Sequence, residues 1–261
     1  MKNSFYKKSV QILVLCNNCD YFSAAIHRYM IKYLKLPFAF DVNKLQEETS
    51  QLLSEKWALH YNSRDFEGDW EALPLRSVNG DINNILALDG NNNFADTPFM
   101  AHVPYTRQVI DHIQCPKMSV RLLNLKKGAV VHAHSDHDLY YEEGEVRLHI
   151  PVFTNEMIEF YLDEERVMMK EGECWYLNLA MMHRLHNKSA SDRVHLVIDC
   201  KVNDWLKEQF NGSAVMIRKE VPDFAKPNQD AATQKNIIEQ LRSLNTESAS
   251  KIADDMEAAL M

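Results

Sequence analysis

The sequence predicts a mainly β protein, an antiparallel sandwich or barrel with flanking N-terminal and C-terminal helices. From residue 119 onward, short apolar runs recur with turn residues between them. Almost no helical periodicity interrupts that series. Before and after it, apolar residues recur at three- and four-residue spacing, the signature of amphipathic helices.

Taken in order, Asp41 reads as the N-cap of a helix in which Val42, Leu45, Thr49, Leu52 and Leu53 share one face. Segment 54–118 is mixed, with Trp57, Tyr61, Phe66 and Trp70 among polar residues and a second helix expected near 104–113. Strands are expected at Ser119–Leu125, Ala129–His134, Val146–Phe153, Ile158–Leu162, Val167–Lys170, Glu173–Leu177 and Val194–Asp199. Lys126-Lys127-Gly128, Thr154-Asn155, Asp163–Arg166, Glu171-Gly172 and Asn187–Asp192 supply the turns. Residues 31–210 therefore form the β domain with its N-terminal helical support. Residues 211–261 read as a C-terminal helical tail, with Pro222 and Pro227 in a linker before Ile237, Ile238, Leu241 and Leu244, then Ile252, Met256 and Leu260. A charged, solvated tail is the alternative. Residues 1–30 differ in composition and patterning and read as an extension, with Met30 as an alternative start.

Composition narrows the function classes. Hydrophobic residues make up 46% and charged residues 25% of the 261, which excludes wholesale disorder. A net charge of −8, from 29 Lys and Arg against 37 Asp and Glu, argues against nucleic acid as a partner. No apolar run approaches the roughly 18 residues of a membrane span. The five cysteines, odd in number and set in apolar contexts, read as reduced and buried, hence cytoplasmic. Cys16 and Cys19 have metal-ligand spacing, but no second pair follows.

Seven of the 11 histidines fall between His132 and His195. His134 and Asp136, two apart on a strand, would share a face, and His183 is the strongest candidate for a third metal ligand. Two imidazoles and a carboxylate, with no thiolate, fit Fe(II) better than structural zinc and leave open coordination positions. Surface histidines at a polar strand end are the alternative. Arg147-Leu148-His149 and Arg193-Val194-His195 each place a guanidinium and an imidazole on one face of an otherwise apolar strand. A buried arginine needs an anion, from a dicarboxylic ligand or from the chain itself, where Asp199 and Glu173 are candidates.

Together these residues resemble a known family. Arg121-Leu122-Leu123, His134-Ser135-Asp136, Arg147-Leu148-His149-Ile150-Pro151, Gly172–Leu177, His183 and Asp192–Asp199 look like the aspartyl/asparaginyl β-hydroxylases, whose superfamily includes bacterial proline cis-hydroxylases. The likeness extends less tightly over about 36–210, through Trp70, Leu75-Arg76-Ser77 and Asp96-Thr97-Pro98. It implies a double-stranded β-helix (jelly-roll, cupin-like) oxygenase that uses Fe(II) and 2-oxoglutarate to hydroxylate an amino acid, free, carrier-tethered or peptidyl, releasing succinate and CO2. By family position His134, Asp136 and His183 would hold Fe(II). Arg193 would pair with the far carboxylate of 2-oxoglutarate, and Arg147 and His149 with its C1 carboxylate. Some animal members lack the metal-binding aspartate; Asp136 places this chain nearer the bacterial enzymes. Arg76 and His195 are expected to meet substrate, although a surface ion pair would serve Arg76 equally. His137–Glu145 reads as a lid or a solvated acidic loop, and His132, His137 and His186 as histidines near the ligands but outside the set. A cupin-like metal-binding module and a zinc-dependent isomerase or hydrolase are the competing readings; neither needs two arginines facing the metal.

Overall fold

A computed structural model describes residues 28–59, 66–85, 93–136, 139–213 and 215–221, together with helical positions 238, 241, 242, 250, 253, 254 and 257. Strand β1 (Arg28–Ala39) leads into α1 (Val42–Leu52). Next come β2 (Ala58–Leu59), β3 (Phe66–Glu67), the long β4 (Trp70–Val78) and β5 (Phe94–Asp96). A 3₁₀ turn at Pro98–His102 precedes α2 (Pro104–His112). Then follow β6 (Lys117–Leu125), β7 (Val130–His134), β8 (Glu145–Phe153) and β9 (Ile158–Leu162). They continue with β10 (Glu165–Arg166), β11 (Glu173–Leu177), β12 (His183–Asn187) and β13 (Arg193–Lys201). Helix α3 (Asp204–Asn211) and β14 (Val215–Val221) complete the described elements.

The larger sheet has the order β14-β1-β11-β8-β13-β6-β4-β2, with β5 on β4; the smaller has the order β10-β9-β12-β7-β3. From β6 to β13 the chain passes back and forth between the two sheets with antiparallel neighbours, the winding of a double-stranded β-helix. Side-chain alternation then sorts the central strands. Val146, Leu148 and Ile150 of β8 and Val194, Leu196 and Ile198 of β13 join the core on the outer face, where Leu45, Leu52, Val109, Ile110, Leu206 and Phe210 of the helices cover the sheet. Arg147, His149, Arg193, His195 and Asp199 therefore face the smaller sheet, and all five are buried. The inter-sheet core around them is Tyr33, Trp175 and Leu177 against Phe160, Leu162 and Leu185.

Asp41 caps α1 as expected, accepting from Lys44 N–H at 3.3 Å. The buried face of α1 carries Leu45, Thr49 and Leu52, but also Glu48. Its carboxylate accepts from the backbone N–H of Tyr105 (2.6 Å) and Thr106 (2.8 Å) and from the Thr106 hydroxyl (2.8 Å). It thus caps α2, whose own N-cap, Val103, has no side chain able to do so.

Several expectations are corrected. Residues 167–170 are not a strand: the turn at Asp163 and Glu164, both at positive φ, returns the chain for only two paired residues before it leaves the sheet edge. Gly172, at φ +75°, then turns the chain into β11; a Cβ there would lie 2.6 Å from the Phe40 carbonyl oxygen. Domain boundaries at 30 and 211 also move. β1 begins at Arg28, and Val215–Val221 pairs along it as β14 rather than starting a helical tail. The reason is the edge: β1 would otherwise expose a row of unpaired backbone groups. Helix appears only farther along the tail, at the described positions from 238 onward. Residues 1–27, with Cys16 and Cys19, and the prolines at 222 and 227 lie outside the described residues. The three described cysteines, Cys115, Cys174 and Cys200, are free thiols and buried, and no described helix is long and apolar enough to cross a membrane.

Glu48→Ala is expected to cost about 2–3 kcal/mol in urea denaturation, since it strands two amide donors at the start of α2. Glu48→Gln, which keeps one acceptor oxygen, should cost less.

Candidate metal and co-substrate site

His134 closes β7 and His183 opens β12, and the two are register partners with ring centroids 4.2 Å apart. Asp136 Oδ1 is 3.6 Å from His134 Nε2, and one ligand atom from each of the three residues lies within 4.8 Å of the others. A bulge makes this meeting work. Between Val131 and His134 strand β7 advances three residues while β12 advances two, from Leu185 to His183. His134 thus shares the inner face with Val131, and His132 turns outward to Glu67, 3.2 Å away. Simple alternation would have put His132 and His134 together. Asp136 is also not on the strand: it follows β7, with its N–H donating to Leu179 O at 2.8 Å.

Each ligand is oriented by a further contact. His134 Nδ1 is 2.8 Å from His132 O, and His183 Nδ1 is 3.0 Å from Met181 O. A carbonyl oxygen only accepts, so in both rings Nδ1 is the donor, which leaves Nε2 as the atom that can turn to a metal. Burial lowers the pKa of His183, which favours the neutral ring a metal needs. Asp136 Oδ2 accepts from Arg147 Nη1 at 2.7 Å. Two imidazole nitrogens and a carboxylate are the donor set of a divalent transition metal with open coordination positions.

The two R-x-H strands diverge. Arg147 donates from Nε and Nη2 to the two oxygens of Asp199 (2.7 and 3.3 Å) as well as to Asp136. Its charge is met inside the chain by Asp199, the internal pairing that the sequence offered as the alternative to a dicarboxylic ligand. Asp199, fully buried, also accepts from Arg121 Nη2 at 2.7 Å, and Arg121 Nη1 donates to Ile85 O. Arg193 is different. It is 3% exposed, its Nε has no partner, and among the described residues no carboxylate pairs with it. Its Nη2 lies 2.9 Å from His195 Nδ1, and burial pulls its pKa down to about 9, which still leaves it charged at neutral pH. His149, beside it, has both ring nitrogens buried and unpartnered. Burial, reinforced by the nearby arginines, holds His149 and His195 well below the usual histidine range, so both are neutral. A cavity of about 280 Å³, lined in part by Phe160, Val167 and Met169, reaches Arg193 and His195 but not the three ligand residues.

The structure also places Arg76 and His195. Arg76 is neutralised by Asp96 (2.9 Å), which Arg107 also holds, so the surface ion pair is what forms. His195 is buried with Nδ1 against Arg193, at the wall of the same cavity. His137 and Asp138 lie outside the described residues. The following segment is tied down: Glu142 accepts from Ile31 N–H at 2.8 Å, and Tyr141 stacks on Phe210. Its acidic groups are thus partly spent on the chain itself. Sequence reading underrated Asp199 and Arg121, although both sit on the inward parity of their strands.

The family model described as Aspartyl/Asparaginyl beta-hydroxylase matches residues 39–202. Among similar proteins, the L-proline cis-4-hydroxylase of Rhizobium meliloti (strain 1021) is 29% identical over 163 residues, 61% of this chain and 57% of that protein. An L-proline cis-3-hydroxylase of Streptomyces sp is 28% identical over 140 residues, 51% of this chain and 47% of its own. The chain spans about half the length of these curated relatives. One similar solved structure is HygX from Streptomyces hygroscopicus with nickel, 2-oxoglutarate and hygromycin B bound, 14% identical with a TM-score of 0.42, covering 67% of this chain and 84% of HygX. The matched span begins at the last residue of β1 and ends just past β13, so it takes in every strand of the double-stranded β-helix and the whole His-Asp-His set: the chain belongs to the aspartyl/asparaginyl β-hydroxylase family.

Proposed function

We propose that this protein is an Fe(II)- and 2-oxoglutarate-dependent dioxygenase that hydroxylates an amino acid, free, carrier-tethered or peptidyl (Asp-, Asn- or Pro-like). The observation that carries the reading is a buried cation with no carboxylate partner among the described residues, on the sheet that faces the one bearing two histidines of a divalent-metal ligand set. A cupin-like metal-binding module would need the ligands but has no use for Arg193. The proline hydroxylases among its relatives support a small amino-acid substrate, and the buried free thiols support a reducing, cytoplasmic setting.

His134, Asp136 and His183 would hold the iron through Nε2, a carboxylate oxygen and Nε2. Bound there, Fe(II) supplies the oxidation, in which O2 places one oxygen in the product hydroxyl and the other in succinate as 2-oxoglutarate loses CO2. The chain's own residues bind and orient. Arg193, backed by His195, would take the far carboxylate of 2-oxoglutarate as a charge-assisted pair. His149 would offer a ring N–H to the nearer carboxylate, ending the isolation of its buried nitrogens. Ile158, Phe160 and Val167 give the cavity beside the buried arginine an apolar wall, which strengthens that pairing.

His134→Ala or His183→Ala should abolish succinate formation from 2-oxoglutarate and weaken Mn(II) binding by more than about 100-fold. Arg193→Met should raise the KM for 2-oxoglutarate by about 100-fold or more while sparing Mn(II) affinity. Because no described carboxylate pairs with the replaced cation, which meets only the neutral ring of His195, the melting temperature should hold or rise. Unchanged co-substrate KM in Arg193→Met, or a melting temperature that falls as for a broken ion pair, would remove the assignment of that strand.

A further inference from the structure

We infer that Asp199 is a positioning residue for the metal-binding carboxylate, acting through Arg147. The inference rests on the reading of His134, Asp136 and His183 as metal ligands.

Asp136 needs outside help. The two histidines project from paired strands, and each is held at Nδ1 by a backbone carbonyl. Asp136 stands beyond the end of β7, with its backbone tied to Leu179 and its side chain partly exposed. The direction of its carboxylate is set by Arg147 Nη1, 2.7 Å from Oδ2. That guanidinium is in turn held as a plane by two bonds to Asp199, from Nε at 2.7 Å and Nη2 at 3.3 Å. Asp199 cannot swing, because it is fully buried and Arg121 grips its Oδ2 from the other side at 2.7 Å. A chain of charge-assisted bonds thus runs from the centre of the large sheet to one metal ligand.

The same chain solves an electrostatic problem. An arginine touching a metal-binding carboxylate brings a positive charge close to a dication, which weakens binding of the ion. The four groups Arg121, Asp199, Arg147 and Asp136 hold two positive and two negative charges. Asp199 therefore offsets one of the two arginine charges behind Asp136, so that Arg147 aims the ligand with less net positive charge beside the metal. Replacing Asp199 removes both the orientation and the compensation.

The test is Mn(II) binding by the full chain without co-substrate, read by the loss of the free-ion EPR signal, together with the visible spectrum of the Co(II)-loaded protein. Asp199→Asn is expected to weaken Mn(II) binding by about 10–100-fold, the usual effect of removing an outer partner of a ligand, and to alter the Co(II) spectrum. Two buried arginines then share no carboxylate, so the variant is expected to lose stability. The charge-balanced pair Arg121→Met with Asp199→Asn, which leaves one cation and one anion, separates folding from positioning. A folded double variant with weakened Mn(II) affinity supports the inference. Wild-type affinity and spectrum in either folded variant overturns it, as does a change confined to the KM for 2-oxoglutarate. Failure of the unaltered protein to bind Mn(II) would instead overturn the ligand reading, and the role of Asp199 with it.

Discussion

Strands β8 and β13 must bury both of their faces, and only one of those faces is apolar. The outer sides pack Val, Leu and Ile against the helices, so strict alternation drives arginine, histidine and aspartate between the two sheets. Charge buried there has to be compensated, at a cost of several kcal/mol otherwise. Arg121 and Arg147 meet the requirement by sharing Asp199, and Arg147 extends the pairing to Asp136. Arg193 finds no carboxylate among the described residues and meets only His195. The contrast between neighbours under the same constraint separates arginines that share a carboxylate from one that has none among the described residues.

Around that constraint the polar groups form two clusters. On the smaller sheet, at the adjoining ends of β7 and β12, gather His134, His183 and Asp136, each with its second polar atom already engaged by the chain. On the facing larger sheet lie Arg193 and His195 of β13, with His149 on β8, where polar atoms are left without partners. Ligand side chains whose outer atoms are already bonded are held in place; unsatisfied donors in a buried pocket make a site whose energy improves when an anion arrives. Neutral imidazoles beside Arg193 matter here, because a second positive charge beside the guanidinium would raise the cost of burying it.

Much of this was legible from residue order. Strands at Ile158–Leu162 and Glu173–Leu177 form over the expected residues, and the period-two pattern around Arg147 and Arg193 correctly separates the apolar face from the charged one. The helix over 42–52 follows from Asp41 and a 3,4-spaced apolar stripe, but Glu48 on that buried stripe had no local explanation. Its partner is the start of a helix 57 residues away. Residues 167–170 failed as a strand for a related reason: apolar content can mark a segment as buried without supplying a neighbour to pair with. The strand at 215–221 failed the other way, since only the bare edge of β1 explains it.

The sequence by itself determined the strand series, the inward parity of Arg147, His149, Arg193, His195 and Asp199, and the residue types of a metal-binding set. These follow from short-range geometry, in which neighbours on a strand point to opposite faces. Tertiary structure alone decided which arginine keeps a free charge and which histidine on β7 turns inward. The first depends on carboxylates brought from distant strands, and the second on a single extra residue in the pairing of β7 with β12. Neither is a property of any local stretch, because each is settled by a partner that folding delivers from elsewhere in the chain.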